Sequence, residues 1–106
     1  MTSDRLNQLL SLLEASPDDA FLCFALAQEY DKKGEPQRAL EYYLRLRSAH
    51  PDYVGLYYHL GKWYERHDQV DSAMEIYRAG MAVALKQGER HAYGELQTAL
   101  QALEDW

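Results

Sequence analysis

The 106-residue sequence predicts an all-α chain, a helix-turn-helix solenoid of about six antiparallel helices. Three observations lead there. Residues return at a spacing of 34: Leu26 as Leu60, Ala27 as Gly61, Tyr30 as Tyr64, Ala39 as Ala73 and Tyr43 as Tyr77. Around those positions apolar residues recur at helical spacing, the signature of helices buried on one face. Turn-forming residues separate the helical stretches, at Gly34-Glu35-Pro36, His50-Pro51, His67-Asp68 and Gln87-Gly88.

Taken in order, Met1 and Thr2 are expected to fray and Ser3 to cap a first helix over 4–15. Leu6, Leu9, Leu10 and Leu13 give that helix one apolar face, widened by Leu12. Asp18 or Asp19 then caps a helix reaching about Lys33, with Cys23, Leu26 and Tyr30 on its buried stripe. Ala27 and Ala39 are small residues on facing helices, which lets the two backbones approach closely. Pro36 suits the first turn of the third helix, whose apolar face is Tyr43 and Leu46 and which stops at His50-Pro51.

The second copy runs from about Tyr53 to Arg66 and resumes at about Val70. Gly61 stands in Ala27's place; a mid-helix glycine costs about 1 kcal/mol relative to alanine, and close packing is the simplest reason to carry it. No proline stops the fifth helix, so it should continue through Met81, Val83 and Leu85 to about Lys86. The last helix, 90–104, carries Tyr93, Leu96, Leu100 and Leu103 on one face, with Glu95, Gln97, Thr98, Gln101 and Glu104 on the other. A terminal element of a repeat stack needs such a polar outer face. Leu60 and Leu96 lie 36 residues apart rather than 34, as a preceding helix lengthened by two residues would give. Trp63 reads as a surface or inter-helix residue and Trp106 as part of a frayed end.

Composition narrows the class of activity. Hydrophobic residues make up 47% and charged residues 26%, the balance of a soluble globular chain. A formal charge of −6 without a Lys/Arg cluster argues against nucleic acid. No apolar run is long enough to span a membrane, and no basic segment followed by an apolar block suggests a signal peptide. The lone Cys23, on a buried face, reads as a small hydrophobe, and the cytoplasm is the expected location. His50, His59, His67 and His91 show no metal-ligand spacing, and His50 and His67 read as solvated turn residues. Neither a phosphate loop nor a nucleophile elbow is present, so no catalytic residue, metal or cofactor is assigned.

These repeats resemble the tetratricopeptide repeat. Cys23, Leu26, Ala27, Tyr30, Ala39, Tyr43, Leu46 and Pro51 occupy its motif positions in the first copy, and Tyr57, Leu60, Gly61, Tyr64, Ala73 and Tyr77 in the second. Three positions depart from the motif: Cys23 replaces a large aromatic, Gly80 stands where Leu46 stood, and Leu85 where a second proline was due. The resemblance implies a right-handed stack in one domain over 1–106: cap helix 4–15, repeat one 18–51, repeat two 52–87 and cap helix 90–104.

The resemblance also implies a function. Leading helices of that family line a concave groove, which makes the chain a non-catalytic protein-protein interaction module holding a peptide or helix. Carried over residue by residue, the groove positions are Phe21, Phe24 and Gln28 in the first repeat and Tyr58, His59, Lys62 and Arg66 in the second. Asp31, Lys32, Gly55, Glu65, His91, Gly94 and Thr98 accompany them. Lys62 and Arg66, one turn apart, could converge on an acidic group, with Glu65 and Asp31 neutralising them in part. Phe21 and Phe24 could instead tuck under the first helix. The family's carboxylate clamp for chaperone tails is not expected, since Phe24, Gln28 and His59 replace its donors. The other readings are a structural adaptor or homo-oligomer using its outer faces and, remotely, a small hydrolase or metal protein. The partner is a protein or peptide, with no nucleic acid and no membrane, and the chain itself a monomer or weak homodimer.

Overall fold

The computed structural model describes residues 4–105 and contains six helices: α1 Asp4–Ala15, α2 Ala20–Lys32, α3 Pro36–Ala49, α4 Gly55–Arg66, α5 Val70–Gln87 and α6 Arg90–Glu104. No strand occurs among the described residues. The expected cap at Ser3, the fraying of Met1 and Thr2 and the placement of Trp106 lie outside them. The chain divides between Pro51 and Asp52 into two compact units, one of α1 to α3 and one of α4 to α6.

In the first unit α2 packs against both α1 and α3. Asp19, with an extended backbone, is the N-cap of α2: its carboxylate accepts from the Leu22 amide at 2.9 Å. The core is the repeat stripe itself, with Cys23, Leu26, Ala27, Tyr30, Ala39, Tyr43 and Leu46 all buried. Tyr30 stacks on Tyr42 across the α2–α3 seam, with centroids 5.6 Å apart. The end of α3 is tied back to the α1–α2 turn, where Arg45 donates to the Pro17 carbonyl at 2.7 Å and His50 Nε2 to that of Asp18.

The first helix buries Leu6, Leu9 and Leu13. Leu12, expected to widen this stripe, is 56% exposed instead. At i, i+3 and i+7 the other three leucines already fill the face turned to α2, and Leu12 falls beyond its edge. Glu29 of α2 is buried beneath α1 and pairs with Arg5 at 3.3 Å.

In the second unit α5 packs against both α4 and α6. Those contacts explain Gly61 and Gly80. A Cβ on Gly61 would lie 2.1 Å from Tyr77 Cε1, and one on Gly80 would lie 2.5 Å from Tyr57 Cβ and 3.0 Å from Leu96 Cδ1. The departure at Gly80 is thus a packing requirement: Tyr57 and Leu96 occupy the space that a leucine there would need. As expected from the missing proline, α5 runs on to Gln87, whose side chain donates to the Asp52 carbonyl at 2.6 Å. Asp52 stands 34 residues after Asp18, so in both units the carbonyl before the leading helix is bonded by the end of the trailing one.

Three side chains are more buried than the sequence reading had them. Trp63, read as a surface or inter-helix residue, does not lie on the surface: it is 1% exposed, among the largest fully buried side chains. It follows Leu56 and Leu60 at i+7 and i+3 and shares their face. His67, read as a solvated turn residue, is half-buried and stacks on the Trp63 ring, centroids 3.8 Å apart, with Nδ1 donating to the Trp63 carbonyl at 2.7 Å. His50 is also half-buried, through its bond to Asp18.

Three helices end in the same way. Gly34, Asp68 and Gly88 have φ of 76, 58 and 72, and the next amide bonds back to Tyr30, Tyr64 or Ala84. This left-handed termination favours glycine, and at Asp68 a side chain carries the strain. Asp68→Gly is therefore expected to raise stability by about 0.5–1 kcal/mol, read as a higher urea midpoint at unchanged m-value.

Candidate functional site

The expected binding residues sit on the leading helices, and each unit places its own share. On α2, Phe21, Phe24 and Gln28 follow at i, i+3 and i+7 and so lie along one face. Phe21 is 64% exposed and Gln28 is exposed. Phe24 is half-buried, its ring edge-on to Tyr43 with centroids 6.4 Å apart. Phe21 therefore does not tuck under α1, and Phe24 leans on α3.

On α4, Tyr58 and Lys62 line a cleft of about 630 Å³ whose other wall is α6. His91, Gly94 and Thr98, which the sequence reading also placed on the binding side, line the same cleft. Arg90, Glu95, Ala99 and Ala102 join them and were not foreseen. Their signal was available: Arg90, Gly94, Thr98 and Ala102 recur every four residues and form one ridge of α6. His59 and Arg66 are not among the lining residues. His59 is half-buried beside Tyr58, ring edge to face at 5.8 Å.

Side-chain contacts fix the charged wall of the cleft. The Lys62 ammonium lies 5.4 Å from the centre of the Tyr58 ring and 3.4 Å from the Glu65 carboxylate. Glu65 in turn accepts from the Tyr77 hydroxyl, which comes from the buried core. Lys62 is thus held by Glu65, one of the two carboxylates expected to offset it. On the facing wall His91 lies 3.6 Å from Glu95, one helical turn on.

Burial pushes the Tyr77 hydroxyl well above the ordinary tyrosine range, and the hydrogen bond and charge of Glu65 push it further. Burial raises the Cys23 thiol as well. For both groups the unfolded chain gives up its proton first. Their contribution to stability is whole below the unfolded-state values, about 8.5 for cysteine and about 10 for tyrosine, and declines as pH rises past them. Tyr77→Phe should flatten the part of this decline above pH ~10, measured by urea unfolding across alkaline pH. A raised thiol also leaves Cys23 protonated and unreactive near neutrality.

Among the described residues no group of three or more His, Cys, Asp or Glu side chains is placed to hold a metal ion. Nor is any described helix long and apolar enough to cross a membrane.

Three known proteins are similar to this chain. No family model matches the chain. A tetratricopeptide repeat domain protein of Salinibacter ruber is 45% identical in its crystal structure, covering 82% of this chain and 97% of that one with a TM-score of 0.78. Its solution structure gives a TM-score of 0.80 over 84% of this chain and 90% of that one. A TPR repeat-containing protein of Pseudomonas aeruginosa is 28% identical over 96 residues, 91% of each chain. The solution structure of a Bordetella parapertussis protein, 24% identical over 99% of this chain and 90% of that one, has the same fold at a TM-score of 0.82.

Proposed function

The chain belongs to the tetratricopeptide repeat family, whose members generally mediate protein-protein interaction, and from that footing we propose that it holds a peptide or helix of a partner protein on the groove faces of its leading helices. Phe21, Phe24 and Gln28 serve in the first repeat, and Tyr58, His59, Lys62 and Arg66 in the second. The observation that carries this reading is Tyr58. It lies off the buried repeat stripe, half-exposed on an open cleft, with a cation held against its ring. A tyrosine so placed offers rigid apolar area and a polar tip, the usual equipment of an interface anchor. Members of the family are typically non-catalytic scaffolds, and we assign this chain no reaction, metal or cofactor. The domain acts in the cytoplasm, as a monomer or weak homodimer.

A partner obtained by affinity capture makes the test quantitative. Tyr58→Ala is expected to weaken its binding by about 2 kcal/mol, and Lys62→Ala by less and in a salt-dependent way. Both variants should unfold where the parent does, since neither side chain belongs to the core. Equal affinity for the parent and the double variant would transfer binding to the outer faces and favour the adaptor reading.

A further inference from the structure

Besides Gly55 at the start of α4, three glycines lie in the interior of helices of the second unit, and they fall into two kinds. Gly61 and Gly80 have no room for a Cβ, which would strike Tyr77 or Tyr57. Gly94 has nothing within 4 Å of where its Cβ would be. A glycine within a helix gives up about 1 kcal/mol relative to alanine, and at Gly94 nothing within the fold asks for it. What Gly94 does border is the α4–α6 cleft, where the missing side chain leaves the α6 backbone open to close approach.

The charges around that cleft select what approaches. The chain carries a formal −6, yet the cleft is lined by Lys62, Arg90 and His91 against the single carboxylate of Glu95. Lys62 is engaged by Glu65 and His91 by Glu95. Among the described residues the Arg90 guanidinium makes no ion pair, so the charge left over is positive. Guanidinium binds carboxylate through paired N–H donors, and a planar acceptor of opposite sign is its natural complement. Along the cleft the Tyr58 ring and Ala102 supply apolar wall.

The geometry points to the α4–α6 cleft as the seat of an acidic segment of a partner protein, its backbone against Gly94, a carboxylate at Arg90 and a neighbouring apolar side chain on Tyr58. This rests on the reading of the chain as a protein-binding module and adds the chemistry of the occupant. Elsewhere the chain's net negative charge disfavours such a segment, so the cleft also orients it.

The test uses labelled synthetic peptides carrying a Glu-Glu pair next to a Leu or Phe, each matched by a Gln-Gln counterpart, titrated against the full chain by fluorescence anisotropy. The acidic peptides should bind at micromolar concentration and the counterparts about tenfold more weakly. Arg90→Gln should remove that tenfold advantage, so that acidic and amide peptides bind the variant alike. Gly94→Leu should abolish binding while thermal unfolding stays the same or rises, since the new side chain meets nothing in the fold. Equal binding of acidic and amide peptides, both lost in Gly94→Leu, would keep the binding module and discard the acidic occupant. Peptide binding undiminished in Gly94→Leu, or no peptide binding at all, would overturn the cleft as the seat, leaving the module itself to be judged by the Tyr58 and Lys62 variants against a captured partner.

Discussion

Truncating Trp63 to alanine is expected to remove about 3–5 kcal/mol of folding free energy, a large share of the total for a chain this size, about 5–15 kcal/mol. The indole is 1% exposed. It sits on the α4 face that also buries Leu56 and Leu60, and its outer side is closed by the stacked ring of His67. Alanine would lose the transfer energy of the ring and leave a cavity, because the side chains packed around it relax only in part. It would also strip His67 of its stacking partner while leaving the bond to the residue 63 carbonyl in place. Urea unfolding followed by circular dichroism reads the loss as a lower midpoint. A drop under about 1 kcal/mol would contradict core burial of this side chain.

The second large effect comes from adding a single methyl group. Gly80→Ala and Gly61→Ala should each destabilise by about 1–3 kcal/mol, net of the alanine's better helix propensity. At Gly80 the obstacle is the Cβ of Tyr57, an atom fixed to the α4 backbone, so relief requires the helices themselves to separate. At Gly61 it is the Tyr77 ring, which cannot swing aside because it is fully buried and bonded to Glu65. Of the two, Gly80→Ala should therefore cost more. Gly94→Ala is the control: the same substitution within a helix of the same unit, in open space, should raise stability by about 1 kcal/mol. If all three variants shifted the midpoint in the same direction, the packing explanation for Gly61 and Gly80 would be wrong.

The repeat register made the fold legible because each returning residue has one mechanical task. Leu26 and Leu60 are both fully buried, as are Tyr43 and Tyr77, and the all-α helix-turn-helix architecture follows from them. Side chains outside the register were harder to place. Trp63 stands 34 residues after Glu29, and a carboxylate in the first copy hid the fact that both positions are buried. Only the helical period within α4, read apart from the repeat, links Trp63 to Leu60. Gly80 looked like a lapse in the motif because a leucine, Leu46, fills that position in the first copy, while Gly80 must pass between Tyr57 and Leu96. At the helix ends the register was informative again, since Asp68 takes the left-handed turn that Gly34 takes 34 residues earlier.

The cleft was legible in part. Counting from the repeat placed Tyr58, Lys62, His91, Gly94 and Thr98 on the binding side, and they do share one cavity. Arg90 escaped that count because it is the first residue of α6, before the repeat positions begin. The pairing of Lys62 with Glu65 could be anticipated from their i, i+3 spacing, whereas its anchoring by Tyr77 depends on how α5 packs on α4.

Backbone amide shifts of the labelled chain, followed by NMR as the acidic peptide is added, discriminate most sharply between a binding face on the leading helices and one on the outer helices. Shifts should concentrate on α4 and α6, around Tyr58, Lys62, Arg90 and Gly94. Shifts gathered instead on the exposed residues of α3 and α5, such as Arg38, Glu41, Glu75 and Arg78, would contradict the assignment and make this chain an outer-face adaptor.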